Sequence, residues 1–414
     1  MGKQRRQTAF VRRKQPKRAA FVQTTRGTAR RAALPLRPSR DGTSRFVLPP
    51  PEISARDAGL RYFSDEIPGI TRVRRGKNFA YRNPGGERVR DHETLAWIRA
   101  LAIPPAWTDV WIAPDRDSHL LATGRDAKGR KQYRYNPGFA RVRDRAKFDH
   151  LVAFVESLPK LRRQVAADMA LSGLPRRKVI ATIVFLLERT GTRIGNESYA
   201  RQNGSFGLAT LRNHHVKARG GELRFLFRGK SGKEWNIHIQ NRRVAKIIRA
   251  CQELPGQHLF EYRDAEGQVR SVGSSDVNDY LREVTGREIT AKDFRTWRGT
   301  LEAALGFHML VENATLPSKT AVRGVLEHTA EALGNTVTVC RKCYVHPLVI
   351  DSYLSGAFKL GTRIGSEQHR RFALRPEESA VLKFLKAEVR RRKTSFRDIR
   401  ETRRRHQGSR TESQ

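Results

Sequence analysis

The chain has 414 residues, 38% of them hydrophobic, enough for two packed domains with additional tails. Its 82 Lys and Arg stand against 41 Asp and Glu, a formal charge of +41. Solubility of a small domain rarely asks for more than about 2–8 charges, so the excess implies a polyanionic partner, nucleic acid above all, whose counterions are released on binding. Three cysteines exclude a disulfide scaffold and fit a reducing compartment, and the longest apolar run, Val179 to Leu187, falls far short of the ~20 residues of a membrane span, so no membrane partner is expected.

Residues 1–50 hold fourteen Lys or Arg and a single acid, Asp41, which predicts a disordered, phosphate-seeking arm ending at Pro49-Pro50-Pro51. No part of it is apolar enough for a secretory signal; its Arg-rich, acid-poor character leaves an organellar transit peptide as the alternative to a cytoplasmic protein. Over 51–145, short apolar segments broken by Gly, Pro and Asn (NFAYRN, DVWIAP and HLLATG) read as strands of a small sheet, with one helix at 92–103 stopped by Pro104-Pro105. From about Phe148 the period becomes helical: 147–173 gives one or two helices, and Pro175 opens another as an N1 proline. Three strand-like pieces come next, HHVKAR, GELRFLFRGK and KEWNIHI, the last two facing each other across the turn Gly229-Lys230-Ser231-Gly232. Everything beyond reads as helix: 241–254, 274–286, 290–310, 318–334, a stretch near 336–355, and a charged helix from Pro376 running into a basic tail. The expected fold class is therefore α+β, with a β-rich N-terminal lobe (51–145), a mainly helical lobe with an embedded β-hairpin (146–357) and a basic extension (358–414).

Breaking a phosphodiester without a metal needs a nucleophile at phosphorus, cationic donors on the non-bridging oxygens and a proton for the departing 5′ oxygen. Arg meets two phosphate oxygens with its planar fork, Lys can lose its proton when desolvated beside other cations, and Tyr can store the energy of the bond in a covalent link. Four segments of the helical lobe supply these groups. TGTRIGNESY puts Arg193 just past a helix C-terminus between Gly191 and Gly195; RGKSGK puts Lys230 on the hairpin tip, with Lys233 the competing acid. AKDFRTWR puts Arg295 at a helix start, three after Lys292, and LGNTVTVCRKCY puts Asn335 nine residues before Tyr344.

Taken together, in this order and spacing, these segments resemble the type IB DNA topoisomerases, in particular the short poxvirus and bacterial branch. The resemblance covers about residues 55–357 and implies a catalytic pentad of Arg193, Lys230, Arg295, Asn335 and Tyr344. It also implies DNA contacts from Tyr199 and Lys292, and from Gln132, Tyr133 and Tyr135 in the segment RKQYRYNPGF. The fourth pentad position is Asn335 rather than His; Asn donates a hydrogen bond but cannot act as an acid, which leaves proton delivery to Lys230 with Arg193 as its candidate helper. By the same resemblance the protein is expected to be a monomeric clamp around duplex DNA, nucleoid-associated, that relaxes supercoils through a 3′-phosphotyrosyl intermediate without metal, ATP or other cofactor.

Plainer readings stand beside each of these. An arginine in so basic a chain is ordinarily a phosphate positioner or solvated surface, and Tyr344 on an apolar helical face with Val339 and Leu348 would ordinarily be core. Cys340 and Cys343 form a C-x-x-C, but Cys251 is the only other thiol, so no metal site is expected. A tyrosine site-specific recombinase shares the nucleophile and the arginine pair but favours His where Lys292 stands, and would need paired sites and a tetramer. A non-catalytic nucleoid-binding protein has no use for the whole pentad.

Overall fold

Pro51 sits in the first helical turn, where its missing N–H costs nothing, and begins α1 (Pro51–Asp57). The computed structural model describes residues 50–76, 78–361 and 371–391; the arm expected before Pro50 and the end of the basic extension lie outside them. Five strands come after α1: β1 (Ile70–Arg75), β2 (Asn78–Arg82), β3 (Thr108–Ile112), β4 (Leu120–Arg125) and β5 (Lys131–Tyr135). They form one antiparallel sheet in the order β2-β1-β3-β4-β5. α2 (His92–Ala100) is capped by Asp91, whose carboxylate accepts the Thr94 N–H at 2.7 Å. It lays Ile98 on Ile70, Val110, Ile112 and Ala122, the small core of this region. β4 is buried along nearly its whole length, whereas β5 is an edge strand whose Lys131, Tyr133 and Tyr135 share one face and are exposed. The strands expected from NFAYRN, DVWIAP and HLLATG are β2, β3 and β4; α1 and β1 were not expected, and α2 ends before residue 103, where Ala102 turns to a φ of +48°.

The change to helix comes earlier than Phe148. Pro137 in the first turn, with Asn136 accepting the Gly138 N–H at 2.9 Å, starts α3 (Pro137–Asp168), one unbroken helix of 32 residues despite Pro159. At 1.5 Å per residue it runs about 48 Å, from the edge of the sheet into the helical core. α4 (Arg176–Thr190) is next, with Pro175 as its N-cap rather than its N1 residue. Eight of its fifteen residues, Val179 to Val184 with Leu186 and Leu187, are buried, so it is the central helix of the lobe. After the short α5 (Glu197–Asn203) come β6 (Val216–Arg219), β7 (Glu222–Arg228) and β8 (Glu234–Gln240), the three strands expected from HHVKAR, GELRFLFRGK and KEWNIHI, joined as one meander. β7 alternates strictly, with Leu223, Phe225 and Phe227 turned into the core. α6 (Arg242–Gln252) returns the chain, but the next segment is not helical: β9 (Glu261–Arg263) and β10 (Val269–Ser271) pair through a turn at Asp264–Gly267. α7 (Ser274–Thr285), α8 (Ala291–Glu312), α9 (Lys319–Leu333), α10 (Val337–Cys343) and α11 (Pro347–Leu354) complete the lobe, and a further helix, α12, spans 376–391.

α12 is built into the core. Val381, Leu382, Phe384 and Leu385 join the same buried cluster as α3, α4 and α8. Arg162 of α3 fixes the approach to it: Nε donates to Glu188 at 2.7 Å, Nη1 to the Ala373 carbonyl at 2.7 Å, and Nη2 to both oxygens of Glu378 at 2.8 and 3.0 Å. Burial alone would raise the Glu378 carboxyl, but the bond and charge of Arg162, and then the Arg375 N–H, outweigh it and hold it below the usual range. Among the described residues no helix is long and apolar enough to cross a membrane. Removing Arg162 leaves Glu378 charged and buried, so Arg162→Ala is expected to cost about 3–5 kcal/mol in urea unfolding. Arg162→Met combined with Glu378→Leu should recover most of that loss; equal instability of the double variant would mean the ion pair is not what docks α12.

Candidate active site

α4 ends at Gly191, a left-handed residue with a φ of +63° whose N–H donates to the Leu187 carbonyl at 2.9 Å. The chain then turns through Gly195, with a φ of +90°, where an added Cβ would fall 2.7 Å from Thr210 Oγ1. This turn holds Arg193 half-buried at the mouth of a cavity of about 430 Å³. The cavity is lined by Arg193, Tyr199, Lys230, Lys292, Arg295 and Tyr344, together with Ile194, Phe206 and small neighbours. Six of the ten residues singled out in the sequence therefore meet in one place. Asn335 joins them through its Oδ1, which accepts a hydrogen bond from Arg193 Nη2. Gln132, Tyr133 and Tyr135 are not part of this lining; they lie on β5. There Gln132 donates to Asp126 at 2.9 Å, and the Tyr133 and Tyr135 rings stack with centroids 5.9 Å apart.

Tyr344, 9% exposed and part of the main buried cluster, is nearly as enclosed as Arg295, which is only 2% exposed. Arg295 Nη1 donates to the carbonyl of Gly191 and its Nη2 to that of Leu333 at 2.7 Å, the C-terminal ends of α4 and α9. Burial first, and then the charge of Arg193, lower its pKa below the ordinary arginine value. The Nδ2 of Asn335 is a buried donor with no hydrogen-bond partner among the described residues. Lys230 is exposed on the hairpin tip, its Nζ 6.0 Å from the centre of the Tyr199 ring, while Lys233 is engaged elsewhere, donating to the Glu331 carbonyl at 3.2 Å. Lys292, one turn before Arg295, is exposed at the rim.

Tyr344 is buried in the main core cluster, as the plainer reading expected, but it does not lie on a helical face with Val339 and Leu348. It is the C-cap residue after α10, with φ −127° and ψ −15°, and Val339 points outward at 41% exposure. A seven-residue helix closes before the tyrosine, leaving its side chain against the guanidinium of Arg295, 4.9 Å from ring centre to Cζ. The Tyr344 carbonyl accepts from Thr300 Oγ1 at 3.2 Å, and a Cβ on Gly299 would come within 2.8 Å of that carbonyl. Gly299 and Thr300, which seat this backbone on α8, were missed; a glycine inside the strongly helical RTWRGTLEA was the available signal for a close backbone approach. Trp235, whose ring lies against Gly229 and Gly334, was also missed and had no signal of its own. Among the described residues, no three His, Cys, Asp or Glu side chains gather as a metal site.

The lining thus sets four cations, Arg193, Lys230, Lys292 and Arg295, around a tyrosine and includes no carboxylate. Elsewhere the chain neutralises a buried arginine with acids, as at Arg162. Fold and cavity together define a protein that receives an oxyanion beside a phenol, the requirement of tyrosine-based phosphodiester chemistry.

Residues 131–359 match the family model described as eukaryotic DNA topoisomerase I, catalytic core, and residues 78–126 match bacterial DNA topoisomerase IB, N-terminal domain. DNA topoisomerase 1B of Acanthamoeba polyphaga mimivirus is 33% identical over 293 residues, covering 69% of this chain and 87% of the relative. DNA topoisomerase I of Monkeypox virus is 23% identical over 281 residues, 66% and 84% of the two chains. The chain belongs to the type IB DNA topoisomerases. It is an isomerase that relaxes supercoiled duplex DNA.

The floor of the cavity makes a pH prediction. Phe206 packs on His215, with centroids 4.5 Å apart, and His215 Nδ1 accepts the Arg212 N–H at 2.9 Å. Burial, then the charges of His214 and Arg212, hold His215 down at about 4 against an ordinary 6.5. Between these values the unfolded chain binds the proton and the folded one does not, so this contribution is complete above about 6.5 and is lost as pH falls toward about 4. Melting temperature followed from pH 7 to 4 should show that loss, and His215→Asn should flatten it; an unchanged slope in the variant would exclude His215 as its origin.

Proposed function

We propose that Tyr344 is the nucleophile, that Arg193, Arg295 and Asn335 hold the non-bridging oxygens of the scissile phosphate, and that Lys230 protonates the leaving 5′ oxygen. The phenolic oxygen bonds to phosphorus as the P–O5′ bond breaks; the phenol proton passes to solvent and the 5′ oxygen leaves as a hydroxyl. The free end swivels, and the same hydroxyl attacks the 3′-phosphotyrosine in reverse. The observation that carries this reading is the four-cation, acid-free cavity around Tyr344, beside which Asn335 Nδ2 is a buried donor with no acceptor among the described residues. Charge placed where it is repelled by its neighbours is stabilised when an anion arrives. Lys230 is favoured over Lys233 as the acid because Lys233 is already bonded to a helix carbonyl.

The sheet region supplies the second half of the proposal: a clamp around the duplex, with Tyr133 and Tyr135 at 47% and 46% exposure, flanked by Lys131 and Arg134, as contacts and Gln132 beside them. Tyr199 and Lys292 extend the phosphate track along the cavity rim. Every member of the cluster comes from one chain, which supports action as a monomer, and the charge of +41 supports a place on nucleoid DNA in the cytoplasm.

Plasmid relaxation tests the roles. Tyr344→Phe should bind DNA and leave it supercoiled, and with metal chelated and no nucleotide the wild-type chain should yield an adduct that maps to Tyr344. Relaxation surviving in the phenylalanine variant would remove the nucleophile assignment. Arg193→Ala should slow cleavage by at least about 10²-fold, the usual loss for one transition-state donor. Gly299→Ala drives a methyl against the Tyr344 backbone while favouring the helix, so a stable protein slowed by about 10–10²-fold is expected, the range that misplacement by ~1 Å commands.

A further inference from the structure

We infer that Trp235 is a positioning residue for Lys230: its indole docks the hairpin tip onto the turn that carries Asn335. This rests on the reading of Lys230 as the proton donor. Trp235 is the second residue of β8, pairs with Phe227 across the ladder and is half-buried, its ring stacked on Phe227 at 6.3 Å and 12°. Two glycines give it room. A Cβ on Gly229, the residue before Lys230, would lie 2.6 Å from the indole Nε1. A Cβ on Gly334, the residue before Asn335, would lie 2.7 Å from the indole Cζ2. One rigid ring is therefore wedged between the residues that precede two members of the site, a contact that only glycine allows on either side.

The two sides of the wedge are not equally held. The α9 turn is pinned: Gly334 donates to Glu331 at 3.0 Å, Asn335 N–H to Ala330 at 2.9 Å, and the Leu333 carbonyl accepts from Arg295. The hairpin tip is held more lightly: Gly229 N–H donates to Lys233 at 2.7 Å and Gly232 N–H to Gly229 at 3.1 Å, Ser231 has a φ of +64°, and at its base the Arg228 carbonyl accepts from Phe206 N–H at 2.8 Å. Outside that turn it is tied to α9 by the indole and by the Lys233 ammonium on the Glu331 carbonyl at 3.2 Å. The turn is the anchor and the tip is what the anchor steadies. The ladder from Glu222↔Gln240 to Arg228↔Glu234 does not depend on the indole, so losing it should free the tip and leave the sheet.

The test uses two DNA substrates, one ordinary and one with sulfur in place of the bridging 5′ oxygen. Sulfur leaves as a thiolate, since a thiol pKa near 8.5 makes protonation unnecessary, so cleavage of the second substrate does not depend on a general acid. Trp235→Ala in the full chain should cleave ordinary DNA about 10²-fold more slowly, at the low end of general-acid contributions, with KM for DNA little changed. On the sulfur substrate its rate should return to within about threefold of wild type. Trp235→Phe, which keeps a ring on Gly229 but shortens the reach to Gly334, should fall between, and it carries the test should the alanine variant fold poorly. Lys230→Ala is the reference. If sulfur does not restore Lys230→Ala, the reading of Lys230 fails. If sulfur restores Lys230→Ala but neither Trp235 variant, or if both Trp235 variants cleave ordinary DNA at the wild-type rate, the positioning role of Trp235 is overturned.

Discussion

Arg295 lies between two helix ends, and its guanidinium spans them: one nitrogen on the last turn of α4 at Gly191, another on the last residue of α9, Leu333. A charge this deeply buried is costly unless it is met, and here it is met by carbonyls at the negative ends of two helix dipoles rather than by a carboxylate. Each of those carbonyls lies two residues before a member of the site, Gly191 before Arg193 and Leu333 before Asn335. Arg193 and Asn335 then bond to one another. Three side chains from three separate stretches of sequence are thus fixed by one buried fork. Lysine, a single point donor, could not replace it at both carbonyls.

The chain spends its acids elsewhere. Arg162 is matched by Glu188 and Glu378, Arg177 by Asp168 and Glu283, and Arg176 by Asp276. These pairs bind α3, α4, α7 and α12 to one another around the apolar core. The cavity lining has no such neutralisation, so its cations repel one another, and the packed helices around it must offset that strain. The family-model match ends at residue 359, yet α12 contributes Phe384 and Leu385 to the main core. α12 is therefore structural, tied through Glu378 and Arg162 to Glu188 in the last turn of α4, close to the end that frames the cavity.

Much of this was legible from sequence, and the exceptions share a physical cause. β2, β3, β4, β6, β7 and β8 were found because their apolar residues alternate or run between turn formers; α6 to α9 were found because a wide apolar stripe recurs at helical spacing. β1, ITRVRR, and β9, EYR, were missed because charged residues dominate short strands whose stability comes from ladder partners distant in sequence. The start of α3 was missed because its first turns, PGFARVRDRA, are polar, although Asn136-Pro137 was a readable cap. At the site, residue types and spacing pointed to the cluster, but not to what seats it. Arg295 bonding to backbone carbonyls and Trp235 filling two glycine gaps are tertiary facts that leave no periodic trace.

The position of Tyr344 shows how little the site leaves to local propensity. Were the tyrosine inside a helix, its direction would be set by the helix alone. It stands instead one residue past the end of α10, where its N–H still donates to the Cys340 carbonyl at 2.9 Å but its carbonyl needs other support. That support is α8: Gly299 lets the Tyr344 carbonyl approach closely, Thr300 bonds to it, and the same hydroxyl accepts the His346 N–H at 3.1 Å beyond it. Gly299 lies one turn after Arg295 on the same face of that helix. One rigid element therefore sets both the proposed nucleophile and the buried donor opposite it. The distance between them is governed by helix geometry, which hardly varies, rather than by the loop in which the tyrosine sits.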